Sequence, residues 1–157
     1  MTAETQTYYR IIKQKWAASA FDGEGARLYG GRWNSKGRPC VYLTSSVSLA
    51  TLEMLAHLNS TALLSTYTLF TVTIPVEHIR ELGHAHLPTN WRADPAPSET
   101  AMIGDEWLAS CDGVGLLLPS TITPSENNLL LNPTHAAFAA CVKSAARSDY
   151  AFDKRLK

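Results

Sequence analysis

The stretch Thr66 to Pro75, TYTLFTVTIP, alternates residue by residue. Tyr67, Leu69, Thr71 and Thr73 fall on one side and Thr68, Phe70, Val72 and Ile74 on the other, the period of a strand and not of a helix. Both sides carry apolar or β-branched groups, as expected of a core strand, so the chain has to build a sheet around it. Further strands are predicted over Tyr8 to Ile12, Pro39 to Thr44, Gly113 to Ser120 and Asn127 to Leu131, with the tail Tyr150 to Leu156 returning as an edge strand. Helices are predicted over Val47 to Leu58 and Ser98 to Cys111, the latter carrying Met102, Ile103, Trp107 and Leu108. A third, alanine-rich helix is expected to start at Asn132-Pro133, which has N-cap and N1 chemistry, and to run to Ala146. Helices are scattered and turns too frequent for a doubly wound parallel sheet, so the expected class is α+β with a mixed, mainly antiparallel core.

At 157 residues the chain is expected to fold as one domain over 1–157. A chain of that length buries about two-thirds of its unfolded surface and needs no disulfide or metal staple. Fourteen basic and fourteen acidic side chains cancel, which removes any global attraction to nucleic acid or an anionic membrane. No stretch approaches the ~20 apolar residues that span a bilayer, and MTAETQTYYR lacks the basic-then-apolar order of an export signal. Cys40, Cys111 and Cys141 are odd in number, widely spaced and set among apolar residues. That fits reduced core thiols and a cytoplasmic location.

The chemistry gathers between Gly30 and Glu53, GGRWNSKGRPCVYLTSSVSLATLE. Four glycines within Phe21 to Asn34 predict a loop. Gly23-Glu24-Gly25 opens like a dinucleotide fingerprint, but Leu28 stands where its third glycine belongs, and no Gly-Lys-Ser/Thr follows to make a P-loop. Arg27, Lys36 and Arg38 read as a solvated charged loop balanced by Asp22 and Glu24. Arg32 differs: Gly30 and Gly31 let the backbone approach a ligand and the guanidinium can fork onto an anion. In the following helix Leu49, Leu52, Glu53 and Ala56 share a face, which puts Glu53 inside an apolar stripe. A carboxylate there has to be paired, hydrogen-bonded or protonated, and a buried salt bridge to Arg10 or Arg32 would meet that need as well as a catalytic role. Arg10 shares a strand face with Tyr8 and Ile12 and calls for an anionic partner, either a carboxylate of the protein or a ligand phosphate. Arg32, Trp33, Tyr42 and Glu53 together describe a site for an anionic, ring-bearing ligand. His57 reads as a structural or surface residue, and His78, His84 and His86 lack the spacing of a metal site.

Taken in order, YR at Tyr9-Arg10, GGRWN at Gly30 to Asn34, VYL at Val41 to Leu43, LE at Leu52-Glu53, PS at Pro119-Ser120, NLLLNPTH from Asn128 to His135 and FDKRL at Phe152 to Leu156 resemble the RES-domain toxins of bacterial toxin–antitoxin pairs. Ala136 and Lys154 stand where that family often has proline. The resemblance implies a fold similar to the diphtheria-toxin type of ADP-ribosyltransferase, acting on NAD as substrate, with no metal and no bound cofactor. It also implies an antitoxin of the Xre helix-turn-helix kind that covers the active site, so that nucleic acid is met only through the antitoxin. Arg32, Tyr42 and Glu53 match the family's principal active-site positions, with Ser120 in support.

Cleavage of the nicotinamide–ribose bond passes through a transition state with oxocarbenium character, which asks for negative charge near the sugar. Glu53 is expected to supply it, Arg32 to hold the diphosphate and Tyr42 to stack on nicotinamide or ribose. Ser120 is expected at the pocket wall or as a plain strand-end hydroxyl, and Trp33 as pocket wall or core anchor. Arg10 and Asn34 complete the expected substrate-binding set, although Asn34, like Asn128, also suits holding loop backbone. Water, inorganic phosphate or a protein side chain would each serve as acceptor, giving a glycohydrolase, a phosphorylase or an ADP-ribosyltransferase. Two other classes stay open: a single-stranded RNA site on the basic loop with Tyr29 and Trp33 interleaved, and a non-catalytic module that only binds a partner.

Overall fold

The computed structural model describes residues 3–156. Met1 and Thr2, at the head of the polar lead, and Lys157 lie outside the described residues. Strand β1 (Thr5–Lys13) pairs antiparallel with β3 (Tyr67–Pro75) along its whole length, from Thr5↔Pro75 to Lys13↔Tyr67. Strand β7 (Ala146–Tyr150) closes the other edge of β3. On the far side of β1 stands β2 (Val41–Thr44), which meets it only at Tyr9↔Thr44. Strands β6 (Asn127–Leu131), β5 (Gly115–Pro119) and β4 (Ile79–Glu81) follow, giving a seven-stranded sheet in the order β4-β5-β6-β2-β1-β3-β7. Only β4 and β5 run parallel among these pairs, so the sheet is mixed and mainly antiparallel, as expected.

The alternation of the strands supplies two cores. Val41, Leu43, Leu129 and Leu131 face one way and pack with Tyr8, Val72 and Ile74 against Phe138 and Cys141 of helix α4 (Phe138–Lys143). Leu116, Leu118 and Leu130 face the other way and pack with Trp33 and Cys40 against Leu108 of helix α3 (Ser98–Ser110). Helix α2 (Val47–His57) starts on Ser46, whose side chain accepts from the Leu49 N–H at 3.0 Å. It lays Ala50 on Ile11 and Tyr67, with Met54 and Leu55 beside them.

Three expectations change. The glycine-rich loop contains a six-residue helix, α1 (Glu24–Tyr29), because Gly23 and Gly30, both at positive φ, lie at its two ends and not inside it. The alanine-rich helix begins at Phe138 and not at Asn132: the buried Asn132 donates to the Leu108 carbonyl at 2.9 Å and accepts from Thr134 N and Oγ1, which makes it a turn that fastens α3. The edge strand is residues 146–150, upstream of the predicted tail; Phe152 instead plugs the core edge-on to Tyr67, at 4.9 Å between ring centroids. In α3 the buried face is Thr100, Gly104 and Leu108, and Met102 is 66% exposed.

Of the three thiols, Cys40 and Cys141 are buried as expected and Cys111, at the end of α3, is exposed. Burial pushes the Cys40 thiol up to about 12 and raises Cys141 as well. The native protein is therefore expected to titrate one thiol rapidly with an aromatic disulfide reagent and all three only after denaturation. Gly104 gives a second test, because a Cβ there would stand 1.6 Å from the Trp33 carbonyl oxygen. Gly104→Ala is expected to destabilise the fold by about 3 kcal/mol or more, despite alanine's better helix propensity, as read by chemical denaturation.

Candidate active site

Where β1 and β2 part after Tyr9↔Thr44, a cleft of about 800 Å³ opens. It is lined by both strands, by α2, by the Gly30–Trp33 segment, by residues 94–96, and by Pro119, Thr121, Ile122 and Asn128. Its size falls within the usual range for a small-molecule site.

The Gly30–Asn34 loop is held on one side by α3. The Thr100 hydroxyl donates to the Arg32 carbonyl at 2.7 Å, Gly104 lies against the Trp33 carbonyl, and the Asp105 carboxylate accepts from the Ser35 N–H at 2.9 Å. On the other side Tyr42 fastens it: its hydroxyl donates to Asn34 Oδ1 at 2.6 Å and accepts from the Trp33 N–H at 3.2 Å. A Cβ on Gly31 would stand 2.8 Å from the Tyr42 hydroxyl, so glycine is what lets the backbone lie that close. Burial, reinforced by the neighbouring Cys40 thiol, pushes the Tyr42 hydroxyl well above the usual phenol range. Tyr42 thus offers the cleft a ring and no titrating group. Asn34 spends its amide on the carbonyls of Ala26, Ser35 and Arg38. It is buried behind the wall and does not line the cleft. Trp33 fills both expected roles, buried in the α3 core while contributing to the wall.

Arg32 lines the cleft with Nη1 donating to the carbonyls of Trp91, at 3.0 Å, and Ala93, at 2.8 Å. It forms no ion pair among the described residues, unlike Arg27 with Glu24 (2.7 Å) and Arg38 with Asp105 (3.9 Å). The basic loop is therefore largely neutralised, and Arg32 is the loop arginine directed at the cleft. Arg10 has no carboxylate partner among the described residues either. Its Nη1 donates to the Tyr42 carbonyl at 3.1 Å, its Nε is buried without a partner, and burial lowers its pKa. The protein-carboxylate alternative for Arg10 is thereby replaced by a main-chain carbonyl.

Glu53 also departs from the expected salt bridge. Its Oε1 accepts from the Ser120 hydroxyl at 2.9 Å and from Asn128 Nδ2 at 3.0 Å, both neutral donors. Ser120 is fully buried behind the lining, and its oxygen accepts from the N–H groups of Ile122 (3.1 Å) and Thr123 (3.2 Å). Those two donors occupy its lone pairs and leave its hydrogen directed at Glu53. The predicted stripe is divided: Leu49 is buried, whereas Leu52 and Ala56 are exposed, and Ala56 lines the cleft.

Glu53, Arg32, Tyr42, Trp33 and Arg10 are brought to one cleft, with Ser120 acting on it through Glu53. Tyr9, Tyr29, His57 and Asp94 line it too, and sequence reasoning had not placed them there. Asn128 had been assigned to loop backbone; the signal against that was a polar side chain sharing a strand face with Leu130, the partner of Tyr42. No set of three His, Cys, Asp or Glu side chains among the described residues is placed to hold a metal ion. The geometry provides an anchored cation, an aromatic wall and a carboxylate with one oxygen, Oε2, free of protein donors among the described residues. Such a site suits an anionic, ring-bearing ligand.

The chain is 51% identical over 149 residues to a protein named Toxin Res from Yersinia enterocolitica, covering 95% of this chain and 98% of that protein. It is 36% identical over 157 residues to a Prs ADP-ribosylating toxin from a Sphingobium species, covering 97% of each. Among solved structures, the M. tuberculosis MbcT–MbcA toxin–antitoxin complex contains a chain that superposes with a TM-score of 0.72 at 20% identity, covering 95% of this chain and 86% of that one. At that identity the likeness is one of fold, and the mixed, mainly antiparallel α+β sheet expected from the sequence is the one observed. The RES domain profile matches residues 7–153, from β1 to the tail beyond β7, and the chain belongs to the RES domain family.

Proposed function

We propose that the chain is the toxin of a toxin–antitoxin pair and that it breaks the nicotinamide–ribose bond of NAD, depleting the cofactor and arresting growth. The observation that carries this reading is the Glu53 carboxylate, held on one oxygen by Ser120 and Asn128 and paired with no cation among the described residues. When the C1′–N bond breaks, its electron pair leaves with nicotinamide and positive charge is left on the ribose. Glu53 faces that charge undiminished by a counter-cation, and its free oxygen accepts a ribose hydroxyl. Arg32, with Nη1 committed to Trp91 and Ala93, turns its remaining N–H groups to the diphosphate. The Tyr42 ring limits the angle at which nicotinamide departs. Arg10 and Trp33 shape the inner wall, and no metal or bound cofactor takes part.

Water or inorganic phosphate completes the reaction, giving a glycohydrolase or a phosphorylase. Transfer to a protein is the second reading, favoured by the ADP-ribosylating Sphingobium relative. In both, a cognate Xre-type antitoxin covers the cleft and carries any contact with nucleic acid, and the pair acts in the cytoplasm. The complex in which the solved relative was determined supports an antitoxin partner. No described helix is long and apolar enough to cross a membrane.

The purified chain, freed of antitoxin, is expected to release nicotinamide from NAD. Glu53→Gln should lower kcat by at least ~100-fold while leaving the melting temperature nearly unchanged. Ser120→Ala removes one hydrogen bond to the carboxylate and is expected to cost about 10-fold to 100-fold in kcat. Assays with and without phosphate separate the two degradative acceptors; absence of release in both buffers from folded wild-type protein would sink them together.

A further inference from the structure

Tyr29 is 79% exposed, yet it lines the cleft. An exposed aromatic side chain is ordinary on its own, but this one is carried on a fixed support. Helix α1, which it ends, packs at its start against the segment that leads into β2, where Gly23 lies against the Cys40 N–H and Pro39. At its far end the Gly30 N–H bonds to the Ala26 carbonyl at 2.8 Å, and Asn34 Nδ2 holds that same carbonyl at 2.9 Å. The ring is thus carried on a hydrogen-bonded backbone, and its hydroxyl has no hydrogen-bond partner among the described residues. Its neighbour Leu28 is also exposed but does not line the cleft.

The groups that share the cleft give this ring a task. Glu53 is tied to the fully buried Ser120, whereas Tyr29 is exposed. Arg32, three positions after Tyr29 and beyond the Gly30-Gly31 pair, supplies a cation to the same cleft. A dinucleotide carries one ring system at each end of its diphosphate. With the scissile ribose at Glu53 and the diphosphate on Arg32, the second base is left to the exposed ring of the same lining, Tyr29.

We propose that Tyr29 is the stacking platform for the adenine of the dinucleotide, and that it makes the site select dinucleotides over mononucleotides. The proposal rests on the NAD reading of the cleft for its reaction, but its binding half stands separately. Stacking of this kind acts alike in ground and transition states, so it appears in KM and not in kcat.

The test is calorimetric binding of AMP, ADP-ribose and ribose 5-phosphate to the whole chain and to its Tyr29→Phe and Tyr29→Ala variants, beside nicotinamide release from NAD and from nicotinamide mononucleotide. Tyr29→Ala is expected to weaken AMP and ADP-ribose by ~10-fold and to leave ribose 5-phosphate unchanged, with Tyr29→Phe within about twofold of wild type. In turnover, the alanine variant should raise KM for NAD by a similar ~10-fold at nearly constant kcat and leave the mononucleotide unaffected. Unchanged AMP affinity in Tyr29→Ala, a phenylalanine variant as weak as alanine, or folded wild type that does not bind AMP would each overturn the platform. Wild type that binds AMP through Tyr29 but releases no nicotinamide would support the platform and remove the degradative reading instead.

Discussion

The sheet parts between β1 and β2, and the Arg10 guanidinium spans the gap. Past Tyr9↔Thr44 the two strands share no register, although each stays fully paired on its other edge, β1 with β3 and β2 with β6. A parted sheet leaves main-chain carbonyls without their ladder partners, and burying one unpaired is costly. Arg10 answers this with a hydrogen bond from Nη1 to the Tyr42 carbonyl. The cleft exists because the sheet opens there, and the residues that line it come from both sides of the opening.

Tyr42 links that opening to the loop above it. Its carbonyl receives Arg10, its ring faces the cleft, and its hydroxyl joins Asn34 and the Trp33 N–H. The position of Arg32 is therefore set by contacts to residues that touch no ligand: Tyr42 and Asn34 below, Thr100, Gly104 and Asp105 beside. A hydrogen bond is worth only about 1 kcal/mol net. The precision of the loop comes from the number of such contacts acting on consecutive residues, and from two glycines that let the main chain approach them.

Much of this was legible in the sequence because it follows from periodicity. Strand β3, the antiparallel character of the sheet, helix α2, and the grouping of Arg32, Tyr42 and Glu53 could all be read from spacing and residue type. What escaped depends on partners distant in the chain. Asn132 looks like a helix cap until Leu108 is seen to need its amide. The stripe on α2 reads as continuous because sequence cannot distinguish a core from a cleft: Ala56 has the same apolar character in either setting. Arg10 was assigned an anion, since the unpaired carbonyl it serves arises only when the sheet parts.

The choice of partners for Glu53 connects structure to chemistry. At about 4 Å and an effective dielectric constant near 20, an arginine would stabilise the carboxylate by about 4 kcal/mol. It would also cancel most of the field that a developing cation at the sugar would feel. Hydrogen bonds from neutral donors to a charged group contribute about 1.5–3 kcal/mol each, so Ser120 and Asn128 hold the carboxylate about as firmly without adding positive charge beside it. The arginines nonetheless line the same cleft, held by main-chain carbonyls: Arg10 by Tyr42, Arg32 by Trp91 and Ala93. Carbonyls orient a guanidinium and leave its charge intact, just as hydroxyl and amide donors orient a carboxylate. The cleft thereby keeps its positive and negative charges apart and unspent, which is the arrangement a substrate with an anionic diphosphate and a cationic transition state requires.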